Sequence, residues 1–193
     1  MHHIYHTEGI ILSSKNFGEA GRYYSIFTRH LGLINASAQG VRKMSSKLRF
    51  VLQDFAYLKV DLVQGRDIWR VTNAVKTNQL EEITNKPENF AVFGNIARLL
   101  KRLLAGVEPN EALFADVLKG LFILEKCETA EELRNLEAVL VLRILNNLGY
   151  IGQDEALKNL TKSPFEDEIL FEVTKNRPKI LSEINKALKE THL

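Results

Sequence analysis

The stretch Phe55–Val75 reads FAYLKVDLVQGRDIWRVTNAV, and its pattern predicts the fold of the first part of the chain. Leu58, Val60 and Leu62 fall at every second position, which is the period of a strand with one face in a core. Gln64–Asp67 contains a glycine and interrupts the alternation, so it predicts a hairpin turn into a second strand. The opposite face of the first strand carries Tyr57, Lys59 and Asp61.

Short alternating runs bounded by turn residues also precede this hairpin, as far as the N-terminal region. Gly32 marks a second hairpin, and Met44–Gln53 is suited to a short helix between the third and fourth strands. This order favours a five-stranded barrel of the OB-fold type, with an SH3-like barrel as the alternative topology. The five predicted strands are Glu8–Ser14, Arg22–Thr28, Leu33–Val41, Phe55–Val63 and Asp67–Val75.

From Thr84 onward, apolar residues recur every three or four positions, which is typical of helices. Pro87 is suited to a first helical turn, and a second helix is predicted from Pro109 to Lys126. Thr129 and Glu132 have the spacing of a capping box at the start of a third helix, whose run AVLVLRIL predicts a central position in a bundle. An amphipathic C-terminal helix follows. We therefore predict an all-helical domain over residues 80–193 after an OB-fold domain over residues 1–79.

The positive charge of the chain is concentrated in its first part. Residues 1–80 hold 11 Lys and Arg against 5 Asp and Glu, a net charge of +6, whereas residues 81–193 hold 15 against 19, a net charge of −4. No acidic residue occurs among residues 20–53. This asymmetry favours a polyanion as the ligand of the first domain, with a solvated surface loop as the alternative. The stretch AQGVRKMSSKLR contributes Arg42, Lys43, Lys47 and Arg49.

Aromatic residues accompany these cations and offer stacking surfaces to unpaired bases, each stack contributing about 1 to 3 kcal/mol. Packing in the core is the alternative for each of them. Because side chains alternate along a strand, Tyr23 and Tyr24 cannot both face inward. The aromatic candidates are Phe17, Tyr23, Tyr24, Phe50 and Trp69.

The composition favours a protein that folds around an apolar core without disulfide bonds, since 45% of its residues are hydrophobic and Cys127 is its one cysteine. The N-terminal MHHIYHTEG lacks the apolar run of a signal peptide, and no segment approaches the roughly 20 apolar residues of a membrane helix. We expect a soluble, cytoplasmic protein that does not bind membranes.

No catalytic site, metal site or cofactor is predicted. Gly18 and Gly21 lie in a strand connection rather than in a strand-to-helix turn followed by a lysine and a hydroxyl. The histidines near the N-terminus lack a placed carboxylate, and the Cys127 thiol is better explained as a partly buried side chain than as a nucleophile.

The stretch EGIILSSKNFGEAGRYYSIFTRHLGLINASAQGVRKMSSKLRFVLQDF resembles the N-terminal barrel of the RecO family of recombination mediators. The Glu8-Gly9 pair, the loop Phe17–Ala20 and the turn Gly40–Lys43 carry most of the likeness. The LGY of Leu148–Tyr150 and the closing INKALKETHL are similar to the helical domain of that family.

The resemblance implies a non-enzymatic protein that binds single- and double-stranded DNA and anneals complementary strands. It also implies partnership with RecR, and indirectly with the recombinase, in displacing the single-stranded DNA-binding protein, at the nucleoid. Carried over by position, the basic loop of the family corresponds to Arg42, Lys43, Lys47 and Arg49, with Lys15 and Arg22 near the same face. An RNA- or translation-associated OB-fold module, or a scaffold that binds acidic proteins, is the alternative.

The resemblance also implies that the helical domain binds the acidic C-terminal tail of the single-stranded DNA-binding protein. Such a tail requires an apolar pocket with a rim of cations. The candidates are Arg98, Lys101, Arg102 and Arg143. A solvated helix face is the alternative for the first three, and pairing with a carboxylate is the alternative for Arg143.

One segment departs from the family. Many members place a four-cysteine zinc cluster soon after the LGY segment, whereas this chain has IGQDEALKNLTKSPF there, without cysteine. We therefore expect no zinc, and a short helix or loop in its place.

Overall fold

The computed structural model describes residues 3–77, 80, 82–104, 108–152, 155–163, 165 and 169–190. Five strands come first, with one short helix between the third and the fourth, and the remaining helices follow, as the sequence predicts. The strands are β1 Ile4–Phe17, β2 Gly21–Thr28, β3 Gly32–Ala38, β4 Tyr57–Gln64 and β5 Trp69–Lys76. The helices are α1 Leu48–Val51, α2 Pro87–Leu103, α3 Glu111–Lys126, α4 Ala130–Asn147, α5 Glu155–Lys162 and α6 Ile169–Glu190, with a 3₁₀ turn at Glu82–Asn85.

The five strands form a closed barrel in the order β1-β2-β3-β5-β4. β3 and β5 run parallel and close the barrel through the pairs Ala36–Trp69 and Ser37–Arg70, whereas the other neighbours are antiparallel. The helix α1 lies between β3 and β4 in sequence. The prediction of an OB-fold barrel followed by helices is confirmed.

The strand β1 pairs with β2 and with β4, and it contains a bulge that lets it do so. Ile11 pairs with Ile26 and Ser13 pairs with Ser25, so Leu12 is an extra residue in β1. Ile10, Ile11 and Leu12 are all at most 2% exposed. The inward-facing positions therefore change from odd-numbered to even-numbered residues at this point.

The barrel core is built from the alternation that the sequence shows. Leu58, Val60 and Leu62 are at most 1% exposed and pack in one cluster with the inward-facing residues of β2 and β3. Tyr57 lies on the other face, as predicted, yet it is only 5% exposed. Burial raises the pKa of its hydroxyl, and the neighbouring carboxylate of Glu8 raises it further.

The chain divides into two compact units. The barrel unit is Met1–Glu81 with Ala97–Glu111, and the helical unit is Glu82–Ile96 with Ala112–Leu193, so α2 contributes residues to both. The predicted domain boundary at residue 79 falls outside the described residues and stays a prediction.

The helix α4 lies at the centre of the helical unit, as its apolar run predicts, since it packs against both α5 and α6 and its run from Ala138 is largely buried. The predicted capping box at its start is present: the Thr129 hydroxyl accepts a hydrogen bond from the Glu132 amide at 3.2 Å, and the Glu132 carboxylate accepts one from the Thr129 amide at 3.0 Å.

The LGY segment, Leu148–Tyr150, forms the C-terminal cap of α4. The amide of Tyr150 bonds the carbonyl of Leu145 and the amide of Gly149 bonds that of Asn146, with Gly149 at φ +80°.

Candidate nucleic-acid interface

The basic loop between β3 and β4 follows a path that buried apolar residues fix. Val41 is 2% exposed and Leu52 is fully buried, and both belong to the barrel core. Gly40 has a φ of +67°, which favours glycine, and the amide of Arg42 donates to the carbonyl of Ala20 at 3.0 Å. The loop is thus anchored at both ends, and its charged side chains project from a fixed backbone.

Three of the predicted cations line one concave surface of about 650 Å³, which we call the arginine groove. They come from different elements: Arg22 is the second residue of β2, Arg42 follows β3, and Arg49 lies on α1. The complete lining is Arg22, Tyr24, Val41, Arg42, Arg49, Phe50 and Gln53. The lining includes no carboxylate, although Asp54 follows Gln53 in the chain.

Local hydrogen bonds orient the arginines of the groove. The Arg22 Nε donates to the side chain of Asn16 at 2.8 Å, and the Arg42 guanidinium reaches the carbonyl of Gly18 at 3.4 Å. Within the described part of the chain, none of Arg22, Arg42 and Arg49 forms an ion pair with a carboxylate. Their charge is therefore not neutralised internally.

The remaining predicted DNA-binding residues do not line the groove. Lys43 and Lys47 are exposed on the loop, and Lys15 is exposed on β1. Lys15 pairs in register with Tyr23, so these two side chains share the outer face of the barrel. Arg22 and Tyr23 are neighbours on β2 and point to opposite faces of the strand.

The aromatic candidates separate into exposed and buried groups. Tyr24 is 1% exposed in the core, where burial raises the pKa of its hydroxyl despite the opposing effect of nearby Arg22. Tyr23 is 44% exposed, which confirms that the two tyrosines do not both face inward. Phe50 is 71% exposed at the rim of the groove, whereas Trp69 packs against the core and meets Tyr5 edge-on at 5.0 Å.

Tyr23 has a rigid support. Its ring stacks on that of Phe17, with centroids 4.1 Å apart and planes inclined by 20°. Phe17 in turn lies directly over Gly21, because a Cβ at that position would come within 2.5 Å of the ring. One face of Tyr23 is thereby held in place by Phe17, and the side chain remains accessible.

Sequence reasoning missed Arg70. Tyr23 pairs with Ser37, and Ser37 pairs with Arg70, so a row of outward-facing positions crosses β1, β2, β3 and β5. Its members are Lys15, Tyr23, Ser37 and Arg70. The relation depends on the parallel pairing of β3 with β5, which no local pattern indicates.

The candidates for the protein-binding rim differ in burial. Arg98, Lys101 and Arg102 are exposed on α2, and the Lys101 ammonium donates to the Ser13 hydroxyl of β1 at 2.9 Å. Arg143 is only 4% exposed in the helical unit and pairs with the Asp116 carboxylate at 3.0 Å. Arg143 therefore pairs with a carboxylate, as the alternative for this residue states. Because it is buried, we do not place it in an exposed rim.

No other described group suggests a reactive site. Among the described residues, no three His, Cys, Asp or Glu side chains are grouped as metal ligands would be. The helix α5 occupies Glu155–Lys162, within the segment for which a short helix or loop was predicted. Cys127 is 3% exposed, and its thiol donates to the carbonyl of Ile123 at 3.4 Å. None of the described helices is long and apolar enough to cross a membrane.

Residues 1–79 of the chain match the family described as Recombination protein O N terminal, which covers the whole barrel sheet. The chain is 30% identical over 151 residues to the DNA repair protein RecO of Heliobacterium modesticaldum, which is 76% of this chain and 52% of that protein. It is 27% identical over 147 residues to DNA repair protein RecO of Desulfitobacterium hafniense, covering 76% and 52% of the two chains.

A third relative, the DNA repair protein RecO of Thermodesulfovibrio yellowstonii, is 29% identical over 150 residues, covering 76% of this chain and 58% of that protein. The chain thus spans about half the length of the curated relatives it matches. The match over the barrel and the relatives that extend into the helices agree with each other. On this basis the chain is a RecO family protein.

Proposed function

We propose that this chain acts in DNA repair and recombination as a mediator without catalytic residues, which binds single- and double-stranded DNA through the basic side of its barrel. The observation that carries the proposal is the arginine groove, whose three guanidinium groups have no carboxylate partner in the described structure. A desolvated or crowded set of like charges is costly without an anion, so such a surface is suited to a phosphate backbone.

Annealing follows from the same charges. Two complementary strands repel each other through their phosphates, and a basic surface that neutralises part of that charge lowers the cost of their approach. The exposed rings of Tyr23 and Phe50 offer sequence-tolerant stacking to unpaired bases. We propose binding with little sequence preference, because the sequence carries no pattern of a base-reading helix or a zinc finger.

The first test is fluorescence anisotropy of a labelled single-stranded oligonucleotide across a salt series. If about five cations neutralise phosphates, the log–log slope of affinity against salt is about −3.5. Replacing Arg42, Lys43, Lys47 and Arg49 by Ala removes four of these cations, so the slope becomes shallower by up to about 2.8.

A matched control removes the same net charge from exposed positions of the helical unit, with Lys119, Lys175, Lys186 and Lys189 replaced by Ala. We expect the control to keep a slope close to that of the unaltered protein. If the loop variant keeps the original slope, or if both variants lose it equally, DNA does not bind at the basic loop and the proposal is wrong in that respect.

Partnership with RecR, loading of the recombinase and contact with the single-stranded DNA-binding protein form the second part of the proposal. Arg98, Lys101 and Arg102 lie on one exposed side of α2, as a cationic rim for an acidic tail requires. Removing two of these charges weakens charge-assisted hydrogen bonds to the carboxylates of the tail.

Calorimetric titration with the C-terminal tail peptide of the single-stranded DNA-binding protein tests this contact. Arg98→Ala with Arg102→Ala should weaken binding by about tenfold, which corresponds to about 1.4 kcal/mol. Lys175→Ala with Lys186→Ala on α6 serves as the control. Unchanged affinity in the α2 variant removes the proposed docking surface.

The alternative function, an RNA- or translation-associated module, is distinguished by the same anisotropy assay. A protein of that kind prefers a folded RNA hairpin to single-stranded DNA of equal charge, whereas the proposed mediator does not. A scaffold for acidic proteins would show no affinity for either nucleic acid at moderate salt.

A further inference from the structure

We propose that the arginine groove binds the phosphorylated end of a nucleic acid strand, rather than serving only as one part of a continuous path along the backbone. This inference rests on the proposed function and goes further in naming the chemical group that the groove selects. It applies to a terminal nucleotide that carries a phosphate monoester.

The charge of the groove exceeds what one internal phosphate requires. A phosphodiester carries a single negative charge, whereas a phosphate monoester carries about 1.5 to 2 at neutral pH and presents three acceptor oxygens. Arg22, Arg42 and Arg49 line the same concave surface and have no described carboxylate partner. Three guanidinium groups are therefore better matched to a terminal phosphate than to a diester.

The arginines are also suited to this ligand by geometry. A guanidinium group presents its donors in a planar fork that can bond two phosphate oxygens at once. Arg22 is oriented by Asn16, and the backbone of Arg42 is fixed by Ala20, so two of the three begin from defined positions. Less conformational freedom is then lost when the phosphate binds.

The size and lining of the groove fit one nucleotide. Its volume of about 650 Å³ lies within the range of sites for small ligands. Phe50, 71% exposed, belongs to the lining, and its ring centroid lies 5.7 Å from the guanidinium carbon of Arg49. A terminal base can stack on this ring while its phosphate contacts the arginines.

The test compares single-stranded oligonucleotides of one sequence, about 12 nucleotides long, that end in a hydroxyl, a 5′-phosphate or a 3′-phosphate. Anisotropy is measured at about 200 mM salt, where contacts along the backbone are weakened. We expect one of the phosphorylated forms to bind about tenfold more tightly than the hydroxyl form.

Two variants locate the effect. Arg22→Gln with Arg49→Gln should abolish the preference for the phosphorylated end, whereas Lys43→Gln with Lys47→Gln, which removes the same charge outside the groove, should retain it. Preference that survives in the arginine variant would overturn the proposal. Equal affinity of the unaltered protein for all three oligonucleotides would also overturn it, and this result does not depend on how well a variant folds.

Different results would overturn the terminal-phosphate site and the DNA-binding function. If all three oligonucleotides bind equally well, the terminal-phosphate site is wrong and DNA binding stands. If none of them binds, the DNA-binding function itself fails and the terminal-phosphate site fails with it.

Discussion

Arg143 shows how a single charged side chain can organise a helical interior. Its guanidinium donates to both oxygens of Asp116, at 3.0 and 3.3 Å, and to the carbonyls of Leu160 and Ser163, at 2.9 and 3.0 Å. It also lies 4.7 Å from the ring centroid of Phe165. One residue of α4 thereby bonds to α3 and to the end of α5.

Replacing this residue should destabilise the helical unit. Arg143→Met removes the donor of two carbonyls and both Arg143 bonds to the Asp116 carboxylate, which keeps the hydrogen bond from the Asn147 side chain, so we expect a loss of about 3 kcal/mol in the free energy of unfolding. This value is at the lower end of the range for buried pairs, because the Asp116 side chain is 20% exposed. Urea denaturation provides the measurement.

Arg134→Met is the matched control, since Arg134 is exposed on the same helix. The control should change the stability by no more than about 0.5 kcal/mol. Arg143→Lys keeps the charge without the planar fork and should recover only part of the loss. Equal effects of the Met variants would show that the buried contacts of Arg143 contribute nothing to stability.

The capping box at the beginning of α4 makes the stability of the fold depend on pH. The Glu132 carboxylate accepts hydrogen bonds from the amides of Glu128 and Thr129, at 2.9 and 3.0 Å. These bonds, that from Glu128 first, lower the pKa of Glu132 below its ordinary value of 4.5. The carboxylate therefore stabilises the fold above pH 4.5, and this contribution is lost as the pH falls through the lowered folded-state pKa.

We expect Glu132→Gln to be less stable than the unaltered protein near neutral pH, with a difference that shrinks as the pH falls below 4.5. Thermal unfolding monitored by circular dichroism at several pH values measures this difference. Glu88→Gln on α2 is the control, because Glu88 is exposed and forms no hydrogen bond through its side chain in the described structure. A difference that is constant with pH would argue against the capping role of the carboxylate.

The elements show what a single sequence can and cannot predict. The alternation of Leu58, Val60 and Leu62 predicted β4 and its inward face because the period of a strand is a local property of the sequence. The strand β1 begins at Ile4, whereas the prediction began it at Glu8. The residues before Glu8 show no strand pattern in the sequence, and their pairing with β4 is a tertiary property. The strand β3 ends at Ala38 rather than at Val41, since Gly40 adopts a positive φ.

The candidate site has the same limits. The absence of acids among residues 20–53 pointed to the basic loop, and charge alone could not say which cations face one another. Arg22 joins Arg42 and Arg49 because the pairing of β2 with β3 places Arg22 opposite Ala38, just before the loop begins, whereas Lys43 and Lys47 do not line the groove. Arg70 was missed because its neighbours on the outer face come from a parallel strand pair.

The two parts of the chain carry net charges of opposite sign. Residues 1–80 carry a net charge of +6 and residues 81–193 a net charge of −4. A polyanion is therefore attracted to the first part and repelled by the second. Each part is large enough to hold its own core, so the division of charge also divides the proposed roles.

Hydrogen exchange should reveal this division. On addition of single-stranded DNA, we expect slower exchange in the loop that contains α1, residues 39–53, and unchanged exchange in α4, where backbone amides are already protected by burial and hydrogen bonds. The free and DNA-bound protein are compared at one salt concentration by mass spectrometry. Protection spread through α3, α4 and α6 would place DNA on the helices instead.

The bulge at Leu12 has a consequence for how the length of the chain can vary. Deleting this one residue would restore uninterrupted pairing without turning any later side chain, so that Lys15 would stay opposite Tyr23 on the outer face. An insertion at a paired position of β1 would instead move the side chains beyond it to the opposite face. The loop of residues 39–53, by contrast, can gain or lose residues at its exposed tip without changing any strand register. Insertions among related barrels should therefore collect in the basic loop and avoid the paired positions of β1, whereas loss of the Leu12 bulge leaves the register unchanged.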